Sequence, residues 1–262
     1  MRNNTAEKPQ WFIAKIAVMI WVIDIIIVGV APHFLMAEFA FSTFDLLLAS
    51  QIVASAFIIV VLGLTGLWRE FGFVKPQGLM WLAWTAPFWL YGLSLVFMPE
   101  APGPETMRQL ALLIGLAVMV GFSEEAIYRG GLWEIMRPFG VWPTVLMTSI
   151  MFGAVHLVSL FWGAPLIVAL SRSFYAFAAG LIFAAARLRS GSVLAPMAVH
   201  IAVDALAFAI FGPTIFENQE EADESSVLYA MIGFAIAPGI IFGLWGLFAI
   251  RRIQHLIARD VQ

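Results

Sequence analysis

The chain has 262 residues, 62% of them hydrophobic and 12% charged, with a formal net charge of −3 and a mean hydropathy of +0.93. A soluble domain cannot cover that much apolar surface, so the composition implies an all-α, polytopic membrane protein, a single integral-membrane domain over residues 1–262. The absence of cysteine excludes disulfides, thiolate metal sites and cysteine nucleophiles. With no basic patch, nucleic acid is not an expected partner; the lipid bilayer is.

Hydropathy predicts about eight transmembrane helices of roughly 20 residues each. The polar start, Met1 to Gln10, leads directly into the first, Trp11–Val30, so no cleavable signal peptide is expected. The second runs over Phe44–Leu67, with Ser42, Thr43 and Asp45 as a cap-like start. The third is Leu79–Phe97, ending before Pro99, and the fourth runs from Arg108 to Met136. The remaining four are Val141–Phe161, Pro165–Ala186, Ser192–Phe211 and Val227–Ile250. Lysines and arginines fall in alternate loops: Arg2 and Lys8, Arg69 and Lys75, Arg137, Arg187 and Arg189, then Arg251, Arg252 and Arg259. The opposite loops carry Glu38, Glu100, Glu105 and the acidic run Glu217–Glu224. An even number of spans with cytoplasmic N- and C-termini fits this pattern.

Most spans are purely apolar, which makes the ionisable exceptions informative. The fourth contains Gly121-Phe122-Ser123-Glu124-Glu125-Ala126-Ile127-Tyr128-Arg129 at the end of the apolar run Leu110 to Phe122. Carboxylates in lipid are costly unless paired or turned to a wet cavity, so they are functional candidates by default. Glu125 and Arg129, four apart, can pair on a helix. Glu124 points about 100° away and is the carboxylate left free to act. Span five carries Phe152 and His156, and span seven carries His200 and Asp204 on one helix face. Asp24 in span one suits either a functional cavity or a structural pairing, and Arg172 in span six is expected to pair or to snorkel. Gathering these groups around one cavity offsets the desolvation that each would suffer alone. The motif-bearing core is thereby residues 108–212.

Glu124-Glu125-x-x-x-Arg129, Phe152-x-x-x-His156 and His200-x-x-x-Asp204, in that order, resemble the motifs of the CAAX-processing and bacteriocin-processing (CPBP, or Abi) intramembrane protease family. The stretch Gly180 to Arg187 and Arg189-Ser190-Gly191-Ser192-Val193-Leu194-Ala195-Pro196 is also similar to family members. The resemblance covers Leu110 to Phe211. It implies a helical bundle with a conical cavity and an intramembrane, CAAX prenyl protease-like endopeptidase of glutamic type. Its substrate would be a membrane-associated protein or peptide. By that pattern Glu124 is the general base and His156 its partner, while His200 and Asp204 stabilise the oxyanion. Glu125 and Arg129 hold the motif helix in register.

The chemistry asks for these residue types. Peptide hydrolysis without a serine or cysteine nucleophile needs an activated water and a proton for the leaving amine, work that carboxyl and imidazole groups share. Asp204 strains the scheme, because many prenyl-protease members have asparagine there and an ionised aspartate cannot donate to an oxyanion. It is expected to orient His200, as a carboxylate does in a triad; a protonated or metal-binding Asp204 are the alternatives. No cofactor is expected. A zinc variant, with His156, His200 and Glu124 as ligands, is the competing mechanism, weakened by the lack of an HExxH helix. A non-catalytic protein that sequesters a partner in the same cavity is the competing function. Counting 1.5 Å per residue puts His156 deeper in the membrane than His200, so a common site requires tilted or recessed helices. A chain with no organelle signal suggests the bacterial cytoplasmic membrane.

Overall fold

A computed structural model describes residues 8–38, 42–97, 103–213, 228 and 232–260. Among these residues the secondary structure is helical throughout, with no strand. Six helices are long and apolar enough to cross a membrane: α1 (Gln10–Leu35), α2 (Thr43–Thr65), α5 (Met107–Phe139), α6 (Val141–Phe161), α7 (Leu166–Ser190) and α8 (Leu194–Phe211). Between α2 and α5 lie the short helices α3 (Met80–Trp84) and α4 (Ala86–Leu95), and α9 (Ala237–Asp260) ends the fold.

The third expected span is thus broken. Thr85 bonds through its hydroxyl to the carbonyls of Trp81 and Leu82, and Pro87 in the first turn of α4 has no N–H with which to continue α3. The eighth is replaced by α9 and a preceding π turn, Ile232–Ile236; its expected start at Val227 and the acidic run Glu217–Glu224 lie outside the described residues. Helix starts follow their sequence signals. Ser42 accepts a hydrogen bond from the Asp45 amide, and Thr106 from the Gln109 amide.

Helix α7 is the centre of the bundle, packed between α6 and α9, while α8 packs on α5. Its buried face is rich in small residues, Ala176, Ala178, Ala179, Gly180, Ala184, Ala185 and Ala186. Helices in lipid associate through close van der Waals packing, which small side chains permit. The neighbours answer with glycine: an added Cβ on Gly153 of α6 would lie 2.7 Å from the Ser173 carbonyl, and one on Gly246 of α9 would lie 2.6 Å from the Leu181 side chain.

The loop after α2 is packed rather than solvated. Leu67 and Phe71 are fully buried, and the loop covers the start of α8 through Val193 N–H to the Gly72 carbonyl (2.9 Å) and Gln77 N–H to the Ser190 carbonyl (2.8 Å). Helix α8 therefore begins beneath a lid of chain, not at the bundle's outer edge. Arg187 corrects its placement among the surface cations. It is 7% exposed, lies 3.6 Å from Glu134 and donates through Nε to the Arg129 carbonyl at 3.0 Å. Burial with a carboxylate and a carbonyl satisfies it where it stands.

Candidate active site

Helix α5 buries Leu113, Leu116, Ala117, Gly121, Ser123 and Glu125, and the two adjacent acids, about 100° apart on the helix, differ in burial. Glu125 is fully buried, and its Oε1 receives Arg129 Nη1 at 3.1 Å. Glu124, one position on, keeps 19% of its side chain exposed. Directly after Glu125 the helix widens into a π turn, Ala126–Gly131. Such turns gather at functional sites and disturb the regular carbonyl bonding; here Arg187 reaches in to bond the Arg129 carbonyl.

His200 comes to this pair because Gly121 has no side chain. A Cβ at Gly121 would lie 2.5 Å from the Ile201 side chain, so α8 passes close enough for the neighbouring imidazole to reach the acids. His200 Nδ1 lies 3.0 Å from Glu125 Oε1, while Nε2 lies 3.3 Å from Asp204 Oδ2 and 3.6 Å from Glu124 Oε2. Both ring nitrogens thus face carboxylate oxygens, an arrangement that an imidazolium satisfies with two N–H donors and a neutral ring only with one at a time.

Aromatic rings fix the charged groups. His200 stacks on Phe183 (centroids 4.8 Å, planes 19° apart) and meets the edge of Phe152 at 6.0 Å. The Arg129 guanidinium lies 4.4 Å from the Phe152 centroid and 5.2 Å from that of Phe183, within range of cation–π attraction. Gly180 leaves room for it, since an added Cβ would come within 2.8 Å of Arg129 Nη2.

The structure therefore brings Glu124, Glu125, Arg129, His200 and Asp204 into one cluster around Phe152 and Phe183. His156 joins through Phe152: its ring is 5.3 Å from that phenyl ring, and its Nδ1 is 2.9 Å from the Phe152 carbonyl. The imidazole in contact with Glu124 is that of His200. Despite their different depths by residue count, both imidazoles meet the Phe152 ring, at 5.3 Å for His156 and 6.0 Å for His200. Among the described residues no three His, Asp or Glu side chains are grouped so as to hold a metal ion; with Nδ1 turned to the Phe152 carbonyl, His156 has Nε2 as its free nitrogen. Arg172 is exposed and has no carboxylate partner among the described residues. Asp24 is buried, and its Oδ1 has no hydrogen-bond partner among the described residues.

Sequence reasoning missed the bond between His200 and Glu125, the stacking of Phe183 and the support of Ser123, which donates to Gln51 Oε1 at 3.0 Å. Phe183 lies within the Gly180–Arg187 stretch, whose run of small residues was the available signal that something large must fit beside it.

Fold and site together define an integral, multi-pass membrane protein with a buried acid–imidazole centre. Residues 106–206 match the family model described as "Type II CAAX prenyl endopeptidase Rce1-like". The match spans all three motifs and overlaps the stretch that carries the sequence resemblance. Comparison with curated proteins and with solved structures gives no match.

Proposed function

We propose that the protein is an intramembrane endopeptidase of glutamic type that hydrolyses a membrane-associated protein or peptide in the bacterial cytoplasmic membrane. The observation that carries this reading is the His200 ring set among three carboxylates, with Glu124 on its open side. Glu124 takes a proton from water as the water oxygen bonds to the scissile carbonyl carbon. The carbonyl oxygen gains the electron pair of its π bond, and His200, held from opposite sides by Glu125 and Asp204, carries the positive charge that offsets it. Collapse of the tetrahedral intermediate breaks the C–N bond, and the proton held by Glu124 passes to the leaving amine. His156 keeps Nε2 available for the substrate while Nδ1 is engaged by the Phe152 carbonyl. Asp204 is the orienting carboxylate of His200, in contact at 3.3 Å.

Two experiments test this. Comparing the membrane proteome of cells carrying wild type with that of cells carrying Glu124→Gln should reveal a fragment made only by wild type; identical proteomes count against proteolysis. For the purified protein the probe is an internally quenched peptide carrying a farnesylated cysteine four residues from its carboxyl end. Cleavage that persists after exhaustive chelation supports the metal-free mechanism, whereas loss of cleavage restored by zinc supports the metal variant. Binding of the probe that is unaffected by Glu124→Gln, with no cleavage by wild type, favours the sequestering function.

A further inference from the structure

Asp24 is a buried acid that the chemistry above leaves unused. Ile13, Ala17, Ile20 and Asp24 form the buried stripe of α1, with the three- and four-residue spacing of one helix face. The stripe runs antiparallel to the end of α5. Ala17 meets Gly131, where an added Cβ would lie 2.8 Å from the alanine methyl. One turn on, Trp21 stands beside Tyr128, its indole N–H short of a proper hydrogen bond. A further turn brings Asp24 level with Glu124, each about 10 Å along its own helix from the Ala17–Gly131 contact. The two acids, and Tyr128 with them, lie within electrostatic reach of one another.

A second contact fixes α1 just beyond Asp24. Directly after it α1 widens into its own π turn, Ile25–Val30, and Gly29 in that turn abuts Val158, two residues beyond His156, so that an added Cβ would lie 2.7 Å from the valine methyl. Helix α1 with its π turn thus passes between the glutamate helix and the histidine turn, with Asp24 between the two contacts. It is 9% exposed, and its Oδ1 has no hydrogen-bond partner. An acceptor stranded in an apolar wall is costly unless a donor arrives with the reactants.

We infer that Asp24 is a third carboxyl of the active site and accepts a hydrogen bond from the water that Glu124 deprotonates. Water has two O–H bonds. Glu124 removes the proton of one as the new C–O bond forms; Asp24 receives a hydrogen bond from the other, keeps its own charge through the step and fixes the direction of the attacking lone pair. The geometry is independent of the endopeptidase reading, on which only the kinetic consequence rests.

The test uses the full chain in lipid nanodiscs. The infrared carboxylate stretching band lost in Asp24→Asn should shift in Glu124→Gln, because both groups bind the same water. A band unmoved by Glu124→Gln overturns the inference whether or not any peptide is cut. With the farnesylated reporter, Asp24→Asn should lower kcat about ten- to a hundredfold while KM stays within about twofold, the pattern of a lost alignment rather than lost binding. Wild-type kcat in a folded Asp24→Asn also overturns it. If that variant does not fold, Asp24→Glu keeps the acid but moves it by one methylene, and the same band shift and loss of kcat are expected. A wild type that leaves the reporter uncut fails the endopeptidase reading on that probe, and the infrared result then decides the geometry alone.

Discussion

His200 divides its surroundings into two halves of opposite character. On the Nδ1 side, Glu125 and Arg129 are fully buried, their charges 3.1 Å apart and boxed in by Phe152 and Phe183. On the Nε2 side, Glu124 and Asp204 keep 19% and 25% of their side chains exposed. The two glutamates are consecutive in the chain, yet one is wedged into the packing and the other is left open. The two side chains leave the helix about 100° apart, so a single motif supplies both a buried counter-charge and a carboxylate left partly exposed.

The sharpest way to break this division is to remove each charge separately. Glu124→Gln should lower reporter cleavage by about 10²–10⁴-fold, the usual contribution of a general base, with little change in melting temperature. Glu125→Gln should do the reverse first. It strands the buried Arg129 without a counter-charge, a loss of about 3–5 kcal/mol, which thermal unfolding in detergent will register before any assay does. Equal effects of the two substitutions on stability would erase the distinction between the halves.

Much of this arrangement was legible in the chain because ionisable residues are so costly in lipid. Glu124, Glu125, Arg129, His156, His200 and Asp204 stand out from purely apolar runs, and the four-residue spacings of Glu125 with Arg129 and of His200 with Asp204 announce shared faces. The contacts between spans were not legible. Gly121, Gly153 and Gly180 each mark a close approach, but a glycine does not say what approaches. Nor does hydropathy register a π turn, a helix that begins beneath a loop, or a cation such as Arg187 that is buried against Glu134 and a freed carbonyl. The break at Thr85 was hidden for the same reason: α3 and α4 are as apolar as one continuous span.

The buried half can be probed more gently through Gly180. Gly180→Ala would place a methyl group 2.8 Å from Arg129 Nη2 and 3.1 Å from the Ser149 side chain. Because Arg129 is held on two sides by rings and on a third by Glu125, it has little room to yield. Overpacking of this kind costs about 1–3 kcal/mol, so the melting temperature should fall by several degrees, and cleavage should follow stability rather than the chemical step.

Asp204→Asn should have the smallest effect and tells most about the open half. Asparagine keeps the length that brings Oδ2 within 3.3 Å of His200 Nε2, and it exchanges a charge for an amide that can either accept from the imidazole or donate to an oxyanion. If Asp204 serves to orient His200, the amide does so less firmly, and kcat should fall by less than about tenfold with KM unchanged. The orienting role is not the dominant one, because Glu125 still holds Nδ1 at 3.0 Å from the buried side. A loss as large as that of Glu124→Gln would instead make the Asp204 carboxylate part of the proton-transfer machinery, and the open half would then contain two reactive acids rather than one.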